Sequence, residues 1–206
     1  ACAKAGRDPA GVTLIAVSKL QPPEAIREAW AAGQRDFGEN YAQELRDKMK
    51  ALADLPAIRW HAIGHLQTNK VKYVAGKALV HTIDRADLAR ELVRRGGGSA
   101  ACLVEVNVAD EPQKSGVSPS ALHVLLGELR AIEGLEVRGL MCIPPEADDP
   151  EEARRWFRAL RELRDRHLPG GALSMGMSHD FEVAIEEGAT FVRVGTAIFG
   201  PRPPRG

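Results

Sequence analysis

The apolar positions of this chain fall mostly into short continuous runs rich in β-branched residues, with little strict alternation. Such runs occupy residues 12–19, 36–40, 58–64, 79–84, 102–107, 137–143, 173–177 and 191–195, each closed by polar residues or glycine. Continuous apolar runs of this length predict strands buried on both faces, as in a parallel sheet. Between them the apolar period changes to that of amphipathic helices. Pro22-Pro23-Glu24 opens one through Ala25, Ile26, Ala29 and Trp30, and Gly33 closes it. Residues 40–50, 68–75 and 86–95 predict three more, the last stopped by Gly96-Gly97-Gly98. Ser118-Pro119-Ser120 leads into the leucine-rich face of Leu122, Leu125, Leu126 and Leu129; Pro150-Glu151-Glu152 opens a charged helix through Trp156, Phe157, Leu160 and Leu163; residues 181–187 form a short one. Strand and helix alternating eight times predict a single-domain (β/α)8 barrel, and 206 residues allow about 26 per unit, toward the lower end for that fold. A doubly wound open sheet is the competing architecture.

Composition narrows the function classes. The 28 basic and 28 acidic residues cancel, which removes any overall electrostatic drive toward nucleic acid or membrane phosphate. The longest apolar stretches, 12–17 and 140–143, fall far short of the roughly 20 residues that span a bilayer. Cys2, Cys102 and Cys142 are odd in number and widely spaced, which fits neither a disulfide framework nor a zinc site and predicts a reducing, cytoplasmic compartment. The opening Ala1-Cys2-Ala3-Lys4 lacks the apolar core of a secretory signal and reads as a trimmed or partly disordered start, and the proline-rich residues 201–205 read as a tail.

In a barrel of this kind chemistry collects at the C-terminal ends of the strands. Those ends are polar here: Ser18-Lys19, Glu39-Asn40, His61 and His65, Asp84-Arg85, Asn107, Ser178-His179, and Arg193 before Gly195-Thr196. Lys19 follows an apolar strand, where desolvation lowers a lysine's pKa and exposes a nucleophilic amine suited to a Schiff base; it could equally be a lysine that ends a strand in solvent. Ser174-Met175-Gly176-Met177-Ser178 and Gly195-Thr196 place small residues and hydroxyls after strands seven and eight, where barrels often bind phosphate. Tight turns with an N-cap at Ser178 would explain the same residues. His61-Ala62-Ile63-Gly64-His65 is no zinc-protease pattern, since it lies on a strand entering a glycine turn, and His179-Asp180 has no serine in a nucleophile elbow before it; His179 is expected in the first turn of the short helix.

Taken together, these features resemble a pyridoxal-phosphate site on a barrel, and the sequence resembles the pyridoxal-phosphate homeostasis proteins, single-domain relatives of the barrel half of alanine racemase. The matching segments are Leu14-Ile15-Ala16-Val17-Ser18-Lys19, Phe37-Gly38-Glu39-Asn40-Tyr41, the run from Trp60 to Lys70, Leu173-Ser174-Met175-Gly176-Met177-Ser178 and the run from Val192 to Gly200. The resemblance implies an alanine-racemase-like (β/α)8 TIM barrel of fold type III with pyridoxal 5'-phosphate (PLP) as cofactor. It implies that Lys19 forms the internal aldimine, that Ser178, Gly195 and Thr196 hold the phosphate, that Arg193 faces the pyridine nitrogen and that Asn40 lies beside the ring. Lys114 matches a family lysine linked to cofactor exchange, whereas Gln21 stands where many members carry a second lysine. An arginine at the pyridine nitrogen keeps that nitrogen unprotonated and makes the ring a poor electron sink. A racemase also needs a second base, which related enzymes take from an additional domain, and the few residues after Gly200 are too short to build one. The expectation is a monomeric cytoplasmic protein that holds PLP reversibly and delivers it to apo-enzymes, with weak amino-acid racemase activity as the alternative.

Overall fold

The computed structural model describes residues 1–200, so the tail predicted at 201–205 lies outside the described residues. Eight parallel strands close into a barrel in chain order: β1 (Thr13–Val17), β2 (Asp36–Glu39), β3 (Arg59–Ala62), β4 (Ala78–Ile83), β5 (Ala100–Glu105), β6 (Leu135–Met141), β7 (Ala172–Met177) and β8 (Phe191–Val194). Closure comes from β1 pairing with β8, with Ile15 opposite Arg193 and Ala16 opposite Val194. The open doubly wound alternative is therefore excluded.

Helices α1 (Pro23–Ala31), α2 (Ala42–Ala51), α3 (Ala86–Arg95), α4 (Leu122–Arg130), α5 (Arg154–His167), α6 (Phe181–Glu186) and α7 (Thr196–Phe199) lie between or after the strands. Local chemistry sets their ends. Pro23 fixes the first turn of α1, and Gly33, at φ 103°, turns the chain back toward β2. In α3 the residues Leu88, Ala89, Leu92 and Val93 form the buried stripe, and Arg94 and Arg95 in the last turn complement the helix dipole while bonding Glu91. Burying the large side chains between barrel and helices, Phe37, Leu45, Leu122, Leu126, Phe157 and Leu160 among them, contributes roughly 1.5–3 kcal/mol each.

Three sequence expectations change. The helix expected over 68–75 is a 3-10 turn, Thr68–Tyr73, because no side chain caps its start and the β-branched Thr68 and Val71 resist a longer α-helix. Pro150–Ala153 is likewise a 3-10 turn before α5. Residues 1–7 are ordered in turns, held where the Arg7 guanidinium donates to the Ile185 and Ala189 carbonyls at 2.8 and 2.7 Å. Among the described residues no helix is long and apolar enough to cross a membrane.

Candidate functional site

At the C-terminal end of the barrel a cavity of about 440 Å³ is lined by Lys19, Asn40, Ser178, Arg193, Gly195 and Thr196. All six residues singled out in the sequence thus meet in one place. That volume suits a small cofactor.

Lys19 does not continue β1, which ends at Val17. It stands in a tight turn whose next residue, Leu20, has φ 63°, a left-handed conformation costing about 1–2 kcal/mol for a residue with a side chain. The turn is clamped from behind. Leu20 N–H donates to Glu44 Oε1 at 2.6 Å, the buried Ser18 hydroxyl donates to Glu39 Oε1 at 2.6 Å, and Lys48 Nζ donates to the Ser18 carbonyl, to Glu39 and to Glu44 at 2.6–2.7 Å. Burial pushes the Glu39 carboxyl up from its ordinary range, and the Lys48 ammonium works against that shift. Strain at Leu20 persists because these bonds over-determine the turn.

Asn40 leaves β2 directly into the cavity, and its backbone is pressed against the turn after β3. A Cβ on residue 64 would overlap the Asn40 carbonyl, so only glycine allows this approach. On the opposite side the β7–β8 register advances from Ser174↔Phe191 to Met177↔Arg193, three residues against two. The extra residue is accommodated at Gly176, φ 92°, where a Cβ would come within 2.5 Å of Ala184 in α6. This bulge turns Met177 and Ser178 toward the cavity, and the Gly195 N–H donates to Ser178 Oγ at 3.2 Å. Asp180, not Ser178, closes the turn before α6, its carboxylate accepting from Met177 N–H at 2.6 Å. His179 lies in that turn, outside the helix, and its Nε2 donates to the Asp148 carbonyl at 2.9 Å. That bond ties down the segment carrying Ile143 and Glu146, which sequence reasoning missed as cavity lining.

Arg193 is buried in the barrel interior. Its Nη1 donates to Ser174 Oγ at 2.7 Å and its Nη2 to the Cys142 carbonyl at 2.9 Å. Burial pushes the guanidinium's pKa down, while Cys142, Asp180 and Glu105 act the other way. His61 is not at the mouth: it is buried mid-strand and bonds Asp36 and His81. Asp84 and Arg85 pair with each other at 2.7 Å, and Asn107 braces its own loop through the Glu111 backbone. Lys114 lines a neighbouring cavity and pairs with Glu111 at 2.6 Å; the two cavities share Ile143, Glu146, Met177 and His179.

The chemistry present fits an anionic aromatic aldehyde such as PLP. Lys19 brings a primary amine to the cavity lining, two hydroxyls and a helix start lie at Ser178 and Thr196, and a permanent cation stands at Arg193, against a single lining carboxylate, Glu146.

Comparison with known proteins points the same way. The family profile described as alanine racemase, N-terminal domain, matches residues 4–203. The chain is 48% identical over 211 residues to the pyridoxal phosphate homeostasis protein of Aquifex aeolicus, covering 98% of this chain and 92% of that protein. Among solved structures it superposes on PipY of Synechococcus elongatus with PLP bound, at a TM-score of 0.84 and 38% identity, covering 96% of this chain and 97% of that one. Alanine racemase from Corynebacterium glutamicum shares the fold at a TM-score of 0.70 and 19% identity, this chain spanning 59% of its length.

Proposed function

The chain belongs to the family of pyridoxal phosphate homeostasis proteins, and from that premise we propose that it binds PLP reversibly in the Lys19–Arg193 cavity and holds it for delivery to apo-enzymes, without turning over a substrate. The observation that carries this reading is the convergence of Lys19, Asn40, Ser178, Arg193, Gly195 and Thr196 on one cavity.

When bound, PLP supplies an aldehyde that the Lys19 amine can engage in a reversible covalent bond with loss of water. Lys19 is held ready for this by the clamped turn around Ser18 and Leu20. Ser178 and Thr196 offer hydroxyls to the phosphate, with Gly195 between the strand and α7 leaving the backbone open; a Cβ there would press within 3.3 Å of the Val17 carbonyl. Asn40, which lines the same cavity just after β2, would lie beside the ring. Arg193 would present N–H donors to the ring nitrogen and, keeping its charge, would leave that nitrogen an acceptor. A ring held this way stabilises carbanions poorly, which favours holding over catalysis.

The reading extends to a monomeric, cytoplasmic protein. For the compartment, what supports the reading is that Cys2, Cys102 and Cys142 are free thiols. The test is to mix the PLP-loaded protein with the apo form of a PLP-dependent enzyme and, separately, with amino acids in deuterated water. Recovery of the recipient's activity, with no deuterium entering Cα catalytically, is expected. Multiple-turnover exchange at Cα would overturn the carrier reading in favour of a racemase.

A further inference from the structure

Arg193 is a buried cation with no carboxylate at ion-pair distance among the described residues; its direct partners are a hydroxyl and a carbonyl. A guanidinium buried in a barrel core is costly; the Asp180 and Glu105 charges offset part of that cost from a distance, and a hydrogen-bonded path to a further carboxylate would add to them. A chain of four side chains supplies one. Ser174 Oγ lies 2.9 Å from His81 Nδ1, His81 Nε2 lies 2.9 Å from His61 Nδ1, and His61 Nε2 lies 3.0 Å from Asp36 Oδ1. All four residues are buried, and they come from β7, β4, β3 and β2. At the far end Asp36 pairs with Arg59, whose side chain is 64% exposed at the opposite mouth of the barrel.

The donor and acceptor roles follow from the two ends. Asp36 is paired with Arg59 and ionised: burial pushes its carboxyl up, but hydrogen bonds from His61 and Arg59 outweigh this and bring it to about 2. It can only accept, so His61 Nε2 carries a proton. With neutral imidazoles, His61 Nδ1 then accepts from His81 Nε2–H, and His81 Nδ1 accepts from the Ser174 hydroxyl. Ser174 in turn accepts from Arg193. Every group is satisfied, and every side-chain dipole turns its negative end toward the guanidinium. The competing arrangement, a doubly protonated His61, would reverse the chain, strand the Ser174 hydroxyl proton and add a second cation to the core. Burial pushes His81 well below the ordinary histidine range, so that ring is neutral.

We propose that Ser174, His81, His61 and Asp36 are positioning residues that act as one polarised hydrogen-bond chain, carrying the Asp36 charge through the barrel to hold Arg193 at the cofactor's ring nitrogen. The proposal rests on the placement of Arg193 at that nitrogen given above. In this arrangement the base of the barrel and the cofactor site form one electrostatic unit.

Two readouts test it. In the 15N-labelled cofactor-free protein, two-bond 1H–15N correlation spectra should show His61 and His81 both protonated at Nε2 alone. Either ring protonated at Nδ1 would overturn the chain. In the protein loaded with ring-15N PLP, Ser174→Ala and the distant Asp36→Asn should both move the ring-nitrogen shift from its wild-type value, and Ser174→Ala should raise the PLP dissociation constant about tenfold. Unchanged shifts in both variants would overturn the positioning role even if the tautomers are as expected. Arg193→Ala separates the two claims: if it too leaves the ring-nitrogen shift unchanged, the placement of Arg193 fails and the positioning role with it, while the tautomer result still decides whether the chain exists.

Discussion

The Lys48 ammonium on α2 donates to the Ser18 carbonyl at 2.6 Å, so a cation that never enters the cavity holds the peptide immediately before Lys19. The same ammonium bonds Glu39 and Glu44, making the wall behind the Lys19 turn a buried charge cluster.

Lys48→Met should therefore destabilise the protein by roughly 3–5 kcal/mol, because it leaves the buried Glu39 carboxyl uncompensated. Urea denaturation measures this. The double variant Lys48→Met with Glu39→Gln should recover part of the loss, since both charges are then gone. A Lys48→Met protein as stable as wild type would show that the cluster does not secure the turn.

Glu105, at the C-terminal end of β5, is pushed up to about 7 by burial and then by the nearby Asp84 charge, with Arg193 opposing. Its folded pKa lies above the unfolded value, so the native state binds more protons between them. Stability attributable to Glu105 is therefore present below about pH 4.5, declines as pH rises through the interval, and is lost above about pH 7. Glu105→Gln should flatten this part of the profile and make the variant more stable than wild type at pH 8, by up to about 3 kcal/mol. Denaturant melts at pH 5 and pH 8 supply the comparison, and parallel profiles for the two proteins would contradict the assignment.

Ser178→Ala combined with Thr196→Ala should weaken PLP retention while leaving the fold intact, because each hydroxyl is half-buried or exposed and neither packs in the core. Each lost hydrogen bond to a charged phosphate is worth roughly 1.5–3 kcal/mol. Equilibrium dialysis against free PLP reads the change; unchanged retention would place the phosphate elsewhere.

The barrel was legible because eight apolar runs alternate with amphipathic segments; the six lining residues were legible because strand-end position was joined to the family resemblance, since position alone also named Asp84, Arg85 and Asn107, which do not line the cavity. Boundaries were less so: the run at 12–19 includes Lys19, whereas β1 stops at Val17, since the left-handed Leu20 breaks the extended path one turn later. Helix and 3-10 turn share a polar-apolar rhythm over six residues, which hid the nature of Thr68–Tyr73. His61 looked like a mouth residue because spacing alone does not say how deep a strand position lies. His81, inside an apolar run, carried no signal of its own, and its meaning depends on Ser174, 93 residues away. The Ser18–Glu39–Lys48 cluster escaped for the same reason: only the packing of α2 against β1 and β2 brings it together.

The central claim is that Lys19 is the residue that engages the cofactor. Borohydride reduction of the PLP-loaded protein, followed by proteolysis and peptide mapping, tests it most directly. A single stable adduct on Lys19 is the predicted result, and an adduct on Lys114 or any other lysine, with Lys19 unmodified, would contradict it.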